Sequence, residues 1–488
     1  MNVEVKLYTP MTIQLVTEDE EYISQMREEF TKFVPGFMYM PAYRAGRWNG
    51  RVCMINKFDN SLPYGLLFDL IRIHKKRFPR NRLVIDQEVS SLFKGTRFRV
   101  KQNLKYKPRP YQKDCINAAL RYKKGIIRSA TASGKSLVIA YIAKTLLEKK
   151  NSGVNKVLII VPSKQLVEQF YKDMIDYGIK QNMLGRVYQK YKHWNKPIVI
   201  ATWQTLSRNH EQLLNYEAII KDEVHGSKAY ELKQILSKAT RSHYRLGFTG
   251  TLHSDELDNW NTKAYLGPVL REYPSGFLAD KGYISKCNVK MINIEYQQEN
   301  WEGAYNDVKD EVFINDYRTK LICKLVNSLD HNVLLLVGKV EKEGEYLERV
   351  LKELTDKEVV FLSGRDDVEV REDWREKFKN RSNIALIATF GIFQLGINLP
   401  NLKYLILAAP FKSKIRILQS IGRTLRKHSN KKDGSVIFDI HDDVKYFQKY
   451  GDIRARYYDQ EGFGIEDFVF VEGDEIDLDT LHIQNHFL

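Results

Sequence analysis

The chain predicts an α/β fold in which two parallel-sheet domains stand in tandem behind a small α+β domain. Three observations carry this. From about residue 101, short apolar runs alternate with amphipathic stretches, the pattern of a parallel sheet covered by helices on both faces. The alternation then repeats as a second, complete series, more than one sheet needs. Residues 1–100 break the pattern, with shorter candidate strands, aromatic residues and turn signals at Pro35-Gly36 and Asn49-Gly50.

In chain order, the leading segment is the basic one. Residues 1–107 hold 19 Lys/Arg against 11 Asp/Glu, half of the net charge of +16, and seven basic residues with no acidic one lie between Lys94 and Arg109. Such asymmetry points to a polyanionic partner more than to an evenly solvated surface. The first sheet should be built from 125–128, 156–161, 198–202, 217–222 and 244–248. Between two of these, Leu166, Phe170 and Met174 recur at helical spacing, with Ser163 as N-cap and Gly178 as stop. Residues 273–291, with Pro274, Gly276 and Gly282, lack a strong period and read as a hinged linker. The second sheet should use 333–337, 359–362, 384–388, 404–408 and 436–440. From Asp459 onward there are nine acidic residues and no Lys or Arg. That tail reads first as a solvated terminus, next as a strand added through 468–471, and last as a decoy for basic surface. The expected domains are 1–100, 101–275 and 276–488.

Composition narrows the class. At 488 residues the chain exceeds one core, and 43% hydrophobic with 28% charged residues is a globular balance. No apolar run approaches the ~20 residues that cross a bilayer, and the N-terminus lacks a basic-then-apolar export signal, so a cytoplasmic protein without a membrane partner is expected. Cys53, Cys115, Cys287 and Cys323 are far apart with no Cys-x-x-Cys pair, which suggests buried, reduced thiols and neither disulfides nor zinc.

The chemistry resides in two boxes. Residues 129–136 read Ser-Ala-Thr-Ala-Ser-Gly-Lys-Ser, and Asp222-Glu223-Val224-His225 closes the apolar run that starts at Tyr216. A loop of backbone N–H groups through Thr131, Ala132, Ser133 and Gly134 can cradle phosphates. Lys135 neutralises their charge, while Ser136 and Asp222 hold Mg²⁺. Glu223 is then placed to orient or deprotonate the attacking water. ATP and Mg²⁺ are the expected cofactors. A strict phosphate loop has Gly at 129, and often at 132, where this chain has Ser129 and Ala132. Alanine takes a positive φ less readily than glycine, which leaves open a clamp that binds ATP without hydrolysing it. Lys221 interrupts the apolar run and reads as a strand-end lysine whose head reaches solvent.

Two more boxes complete an ordered set: Arg109-Pro110-Tyr111-Gln112 upstream, and Gln419-Ser-Ile-Gly-Arg-Thr-Leu-Arg426 in the second sheet region. With them the chain resembles the superfamily 2 helicases and translocases through most of residues 105–443. The resemblance implies two RecA-like domains of the P-loop NTPase class. It implies that Gln112 reads the adenine edge with Tyr111 as stacking neighbour, and that Arg423 and Arg426 stabilise the leaving γ-phosphate. His225, Gln419 and Thr249-Gly250-Thr251 would sense closure. Ser163 and Lys164, Thr202, Trp203 and Gln204, Ser363 and Gly364, and Thr389 and Phe390 with Gly391, Gly396 and Asn398 would grip a nucleic-acid backbone.

In the leading domain, Tyr43, Arg44, Arg47, Trp48 and Arg51 set cations beside rings, a composition suited to phosphate contact and base stacking. A core aromatic flanked by solvated arginines is the plainer reading. The expected function is ATP-driven translocation by a monomer that unwinds or branch-migrates forked and junction DNA. An RNA helicase, the ATP-binding clamp, and the motor subunit of a restriction or repair nuclease are the alternatives.

Overall fold

The computed structural model describes residues 2–95, 100–101, 103–149, 152–226, 229–253, 255–298, 301–394, 399, 401–431 and 433–482. Gly396 and Asn398 lie outside them. The chain divides into two compact units, Met1–Ser129 with Gly134–Glu272, and Ala130–Ser133 with Tyr273–Leu488.

In the first unit, an eight-stranded sheet has the order Tyr191–Lys192, Leu184–Tyr188, Ile198–Thr202, Val157–Val161, Ala218–Lys221, Tyr244–Thr249, Lys124–Ser129, Val269–Tyr273. Pairing is parallel from Leu184–Tyr188 through Lys124–Ser129. All five expected strands are present, and their side chains are buried because helices cover both faces. Ser163 caps the helix Lys164–Asp176 by accepting from the Leu166 N–H, and Gly178 follows it with φ +93°.

A four-stranded sheet, Ser61–Pro63, Thr12–Val16, Asn2–Thr9, Arg82–Ile85, makes up the N-terminal part of the same unit, with helices Glu20–Glu29 and Leu67–Arg77. Its core does not close on itself. Trp260 and Ala264, from the helix Glu256–Leu266, share one buried cluster with Val5, Phe30, Leu62, Tyr64 and Leu70. The approach is close enough that a Cβ on Gly65 would stand 1.8 Å from the Lys263 carbonyl oxygen. Tyr64 donates to the Tyr265 carbonyl at 2.8 Å, and Asp69 pairs with Lys263 at 3.2 Å.

In the second unit, seven parallel strands run in the order Glu358–Leu362, Ile384–Thr389, Val333–Val337, Tyr404–Leu407, Ser435–Asp442, Cys287–Glu295, Gly464–Val471. The first five are the expected ones. Residues 273–291 are not simply a linker: they contain the helix Ser275–Asp280 and the first half of the strand Cys287–Glu295. The acidic tail is likewise structural at its start, since Gly464–Val471 adds the last strand, and Leu481 is fully buried in the core of this unit. Strand addition therefore replaces the solvated terminus as the description of residues 464–471. Cys115, Cys287 and Cys323 are buried free thiols, whereas Cys53 is exposed. No helix among the described residues is long and apolar enough to cross a membrane.

Candidate active site

The strand Lys124–Ser129 delivers the chain to the phosphate loop, and the loop feeds the helix Lys135–Glu148. Gly134 turns that corner with φ +77°, and a Cβ there would lie 2.7 Å from Nε2 of Gln112. Gln112 is buried, and its Oε1 accepts from the Arg109 N–H at 2.9 Å, so its amide is fixed beside the loop. Tyr111 is buried next to it. The unpaired N–H groups at a helix start, with the loop before them, form a ready site for an anion. Lys135 donates from Nζ to the Ser129 carbonyl at 3.1 Å. Ala132 adopts φ +65°, so the loop does impose the left-handed conformation there. Ser133 is buried.

Asp222 follows the strand Ala218–Lys221 directly, and its N–H donates to the Ile160 carbonyl at 2.9 Å. Its carboxyl is buried, and Oδ1 has no hydrogen-bond partner among the described residues. Burial and the neighbouring Glu223 carboxylate raise its pKa to about 7, while Lys135 pulls it down. A buried carboxylate oxygen without a hydrogen bond, beside a phosphate loop, suits a hard divalent cation. The Ser136 hydroxyl lies 2.7 Å from the Tyr177 hydroxyl, a partner nothing in the sequence announced. Glu223 holds φ +49°, backbone strain of a kind that gathers at functional sites.

Lys221 corrects the sequence reading. Its side chain is 1% exposed, because it sits in mid-sheet, in register with Ile160 on one side and Gly247 on the other. Its charge acts on Asp222 and His225.

His225 is 3.5 Å from Glu223 through Nδ1 and 2.7 Å from Thr249 Oγ1 through the same atom. Burial lowers its pKa below the ordinary value. Of the expected backbone-gripping residues, Ser163, Lys164, Thr202, Trp203 and Gln204 meet at the ends of two adjacent strands, where Thr202 pairs with Val161 and Gln204 reaches the Pro162 carbonyl at 3.5 Å. Lys164 and Gln204 are exposed. In the second unit, the Ser363 N–H is held by Asp366 at 2.6 Å and Gly364 is open. Thr389 ends the strand Ile384–Thr389. The Phe390 ring is buried edge-on against Phe411 with centroids 3.8 Å apart, which leaves its backbone and not its ring for a phosphate. Gln419 and Arg423 are one turn apart on the helix Lys414–Thr424, and Arg426 lies just beyond its end; all three are half-buried. Arg47 and Arg51 are exposed, and Trp48 donates from Nε1 to the Arg51 carbonyl at 2.9 Å.

A phosphate loop and an Asp-Glu-x-His box on one parallel sheet, followed by a second such sheet carrying the Gln-Arg helix, define a two-lobed P-loop ATPase of the helicase kind. Family models agree: residues 105–254 match the type III restriction enzyme res subunit, 317–428 the helicase conserved C-terminal domain, and 2–79 the N-terminal domain of the DNA helicase UvsW. The chain is a superfamily 2 helicase, an ATP-hydrolysing enzyme. Within that class it is similar to the ATP-dependent DNA helicase UvsW of Enterobacteria phage T4, 26% identical over 486 residues and covering 94% of both chains. It is also 22% identical to the DNA 3'-5' translocase XPB2 of Sulfurisphaera tokodaii, over 82% of this chain and 94% of that one. Two solved structures share the fold. They are the type ISP restriction-modification enzyme LlaBIII bound to DNA (TM-score 0.57, 14% identity, 83% of this chain and 34% of that one) and S. cerevisiae Dbp5 bound to RNA and ADP BeF3 (TM-score 0.52, 16% identity, 75% and 91%).

Proposed function

We propose that this helicase translocates on DNA and unwinds or branch-migrates forked and junction substrates as a monomer in a cytoplasm, with Mg²⁺ as the metal of its ATP. The observation that carries the ATP chemistry is the meeting of Gln112, Gly134, Lys135 and the Asp222-Glu223 pair on one sheet. Gln112 recognises the base, and the loop N–H groups with Lys135 hold the phosphates. Ser136 and Asp222 would hold the cation, which offsets charge on the β- and γ-phosphates when bound. Glu223 orients the water and accepts its proton. Arg423 and Arg426 stabilise the leaving phosphoryl group, and Gln419 with His225 reports its presence.

The choice of DNA is supported by the match of residues 2–79 to a DNA helicase's N-terminal domain, and by relatives named for DNA over most of both chains. Residues 1–100, 101–275 and 276–488 then divide the work into substrate grip, ATP binding and strand movement. The test is ATPase and strand displacement across single-stranded, duplex, forked and four-way DNA with matched RNA. Stimulation by branched DNA, lost in Lys135→Ala and lowered ~10²–10⁴-fold in Glu223→Gln, is expected. Equal stimulation by RNA would select the RNA helicase, and no phosphate release with any polymer would select the clamp.

A further inference from the structure

Within the N-terminal domain, between the helix Glu20–Glu29 and the strand Ser61–Pro63, the chain makes a separate excursion. Thr31–Phe33 and Arg51–Cys53 pair as a two-stranded ribbon, Thr31 opposite Cys53 and Phe33 opposite Arg51. The residues between them are held together by their own rings. Phe33 stacks on Phe37 at 4.6 Å between centroids, Phe37 meets Tyr43 edge-on at 4.8 Å, and the Arg51 guanidinium lies 4.4 Å from the Phe33 ring centre. Gly50 permits this closure: its φ is +78°, and a Cβ there would stand 2.3 Å from a Phe37 ring carbon. The rings that build the excursion are therefore largely engaged with one another.

The tip is different. Met38 is 57% and Tyr39 71% exposed, and the Arg44 guanidinium sits 5.9 Å from the Tyr39 ring centre. The segment from Thr31 to Cys53 contains Lys32, Arg44, Arg47 and Arg51 and no acidic residue. An exposed ring with a guanidinium beside it, on a preformed scaffold whose own charges are all cations, suits a nucleotide base flanked by phosphates. Four cations and no carboxylate of its own make this segment better matched to a polyanion than to a basic protein partner.

The excursion is also braced. Phe30, next to the ribbon, packs on Trp260 with centroids 5.3 Å apart, and Lys32 lies 3.0 Å from Glu256 and 5.3 Å from the Trp260 ring centre. Trp260 and Glu256 belong to the helix Glu256–Leu266, a few residues past Thr249-Gly250-Thr251. The foot of the excursion thus stands on the helix that follows the box bonded to His225.

We propose that Met38 and Tyr39 form a stacking wedge for the unpaired base at the branch point of forked DNA, with Arg44 and Arg47 on the flanking phosphates. This rests on the DNA-translocase reading above. It names a stacking residue, Tyr39, outside the Arg47-Trp48-Arg51 group.

The experiment uses the full chain and a fork carrying 2-aminopurine at the unpaired position beside the branch. Binding of the wild type quenches the probe; Tyr39→Ala abolishes the quench and weakens fork binding by about tenfold, while Tyr39→Trp keeps both. Single-strand-stimulated ATPase of Tyr39→Ala stays at the wild-type level, which also shows that the variant is folded. A quench that survives Tyr39→Ala and the double variant Met38→Ala/Tyr39→Ala overturns the wedge. Failure of the wild type to be stimulated by any DNA overturns the translocase reading, a separate result.

Discussion

Nδ1 of His225 lies 2.7 Å from Oγ1 of Thr249, whose hydroxyl also reaches the Thr251 carbonyl at 2.7 Å. The carbonyl can only accept, so the threonine proton points to Thr251 and its oxygen receives the Nδ1–H. With its pKa lowered by burial, the imidazole is neutral at pH 7 and carries its proton on the Thr249 side. One rigid contact thus ties the Asp222-Glu223 box to the loop leading to the helix Glu256–Leu266. Thr249→Ala should cut strand displacement about tenfold or more while basal ATPase changes by less than about threefold, and Thr249→Ser should restore coupling. Parallel loss of both activities in stopped-flow unwinding and phosphate-release assays would show that Thr249 serves the chemistry itself.

Ala132 offers a second test. At φ +65° an alanine carries ~1–2 kcal/mol of strain that a glycine does not. Part of that gain is offset by the larger freedom of glycine in the unfolded chain. Ala132→Gly should therefore raise the free energy of unfolding by roughly 0.5–1 kcal/mol, measured by denaturant titration. Ala132→Val, β-branched at the same φ, should lower it and weaken ATP binding.

Most of the expected strands were legible in the sequence because they are buried on both faces and read as largely apolar runs, even where Lys221, Arg245 or Asp439 interrupts them. Leu184–Tyr188, Val269–Tyr273 and Cys287–Glu295 were not, and Gly464–Val471 was legible only as a second choice over 468–471, since toward the sheet edges one strand carries residues that only its neighbour explains. Lys290 is 1% exposed and is answered by Glu466 at 2.6 Å from the last strand. Read along the chain, Lys290 argues against a buried strand and Glu466 looks like part of a solvated tail. The phosphate loop and the Asp-Glu-x-His box were legible because local spacing defines them. Lys221 was misplaced because burial in mid-sheet depends on which strands flank it, and Tyr177 was missed because its hydroxyl meets Ser136 only in the fold.

The tail makes a third prediction. Leu481 is fully buried, and Ile476 and Leu478 pack on the same core. Leu481→Ala should cost ~2–5 kcal/mol of stability, and deletion of residues 472–488 should lower the melting temperature. DNA affinity at low salt should not rise on deletion. A rise in affinity with stability unchanged would restore the decoy reading.

Lys124 sits where the N-terminal domain meets the first sheet. Its side chain is 5% exposed, with Nζ 4.2 Å from the Tyr64 ring centre, and it stands in register with Arg245, itself 1% exposed. Arg245 donates to the Ala239 carbonyl at 2.8 Å and to the Tyr64 hydroxyl at 3.4 Å. Burial, then Arg245 and Lys123, lower the Lys124 pKa to about 7, whereas burial raises that of Tyr64. Unfolded, the lysine titrates at 10.5. Between these values the unfolded chain holds a proton that the folded chain has lost, so stability rises with pH across the window; below it both states are charged and the full burial penalty remains. Lys124→Met should therefore stabilise the protein by ~1–4 kcal/mol at neutral pH, and the advantage should shrink as pH climbs toward 10. Lys431, also lowered to about 7, adds a similar slope to both proteins and cancels in the comparison. Chemical denaturation of the pair at pH 6, 7.5 and 9 measures the difference. A gap that is constant across that range would mean that Lys124 keeps its proton when buried, held by the Tyr64 ring face.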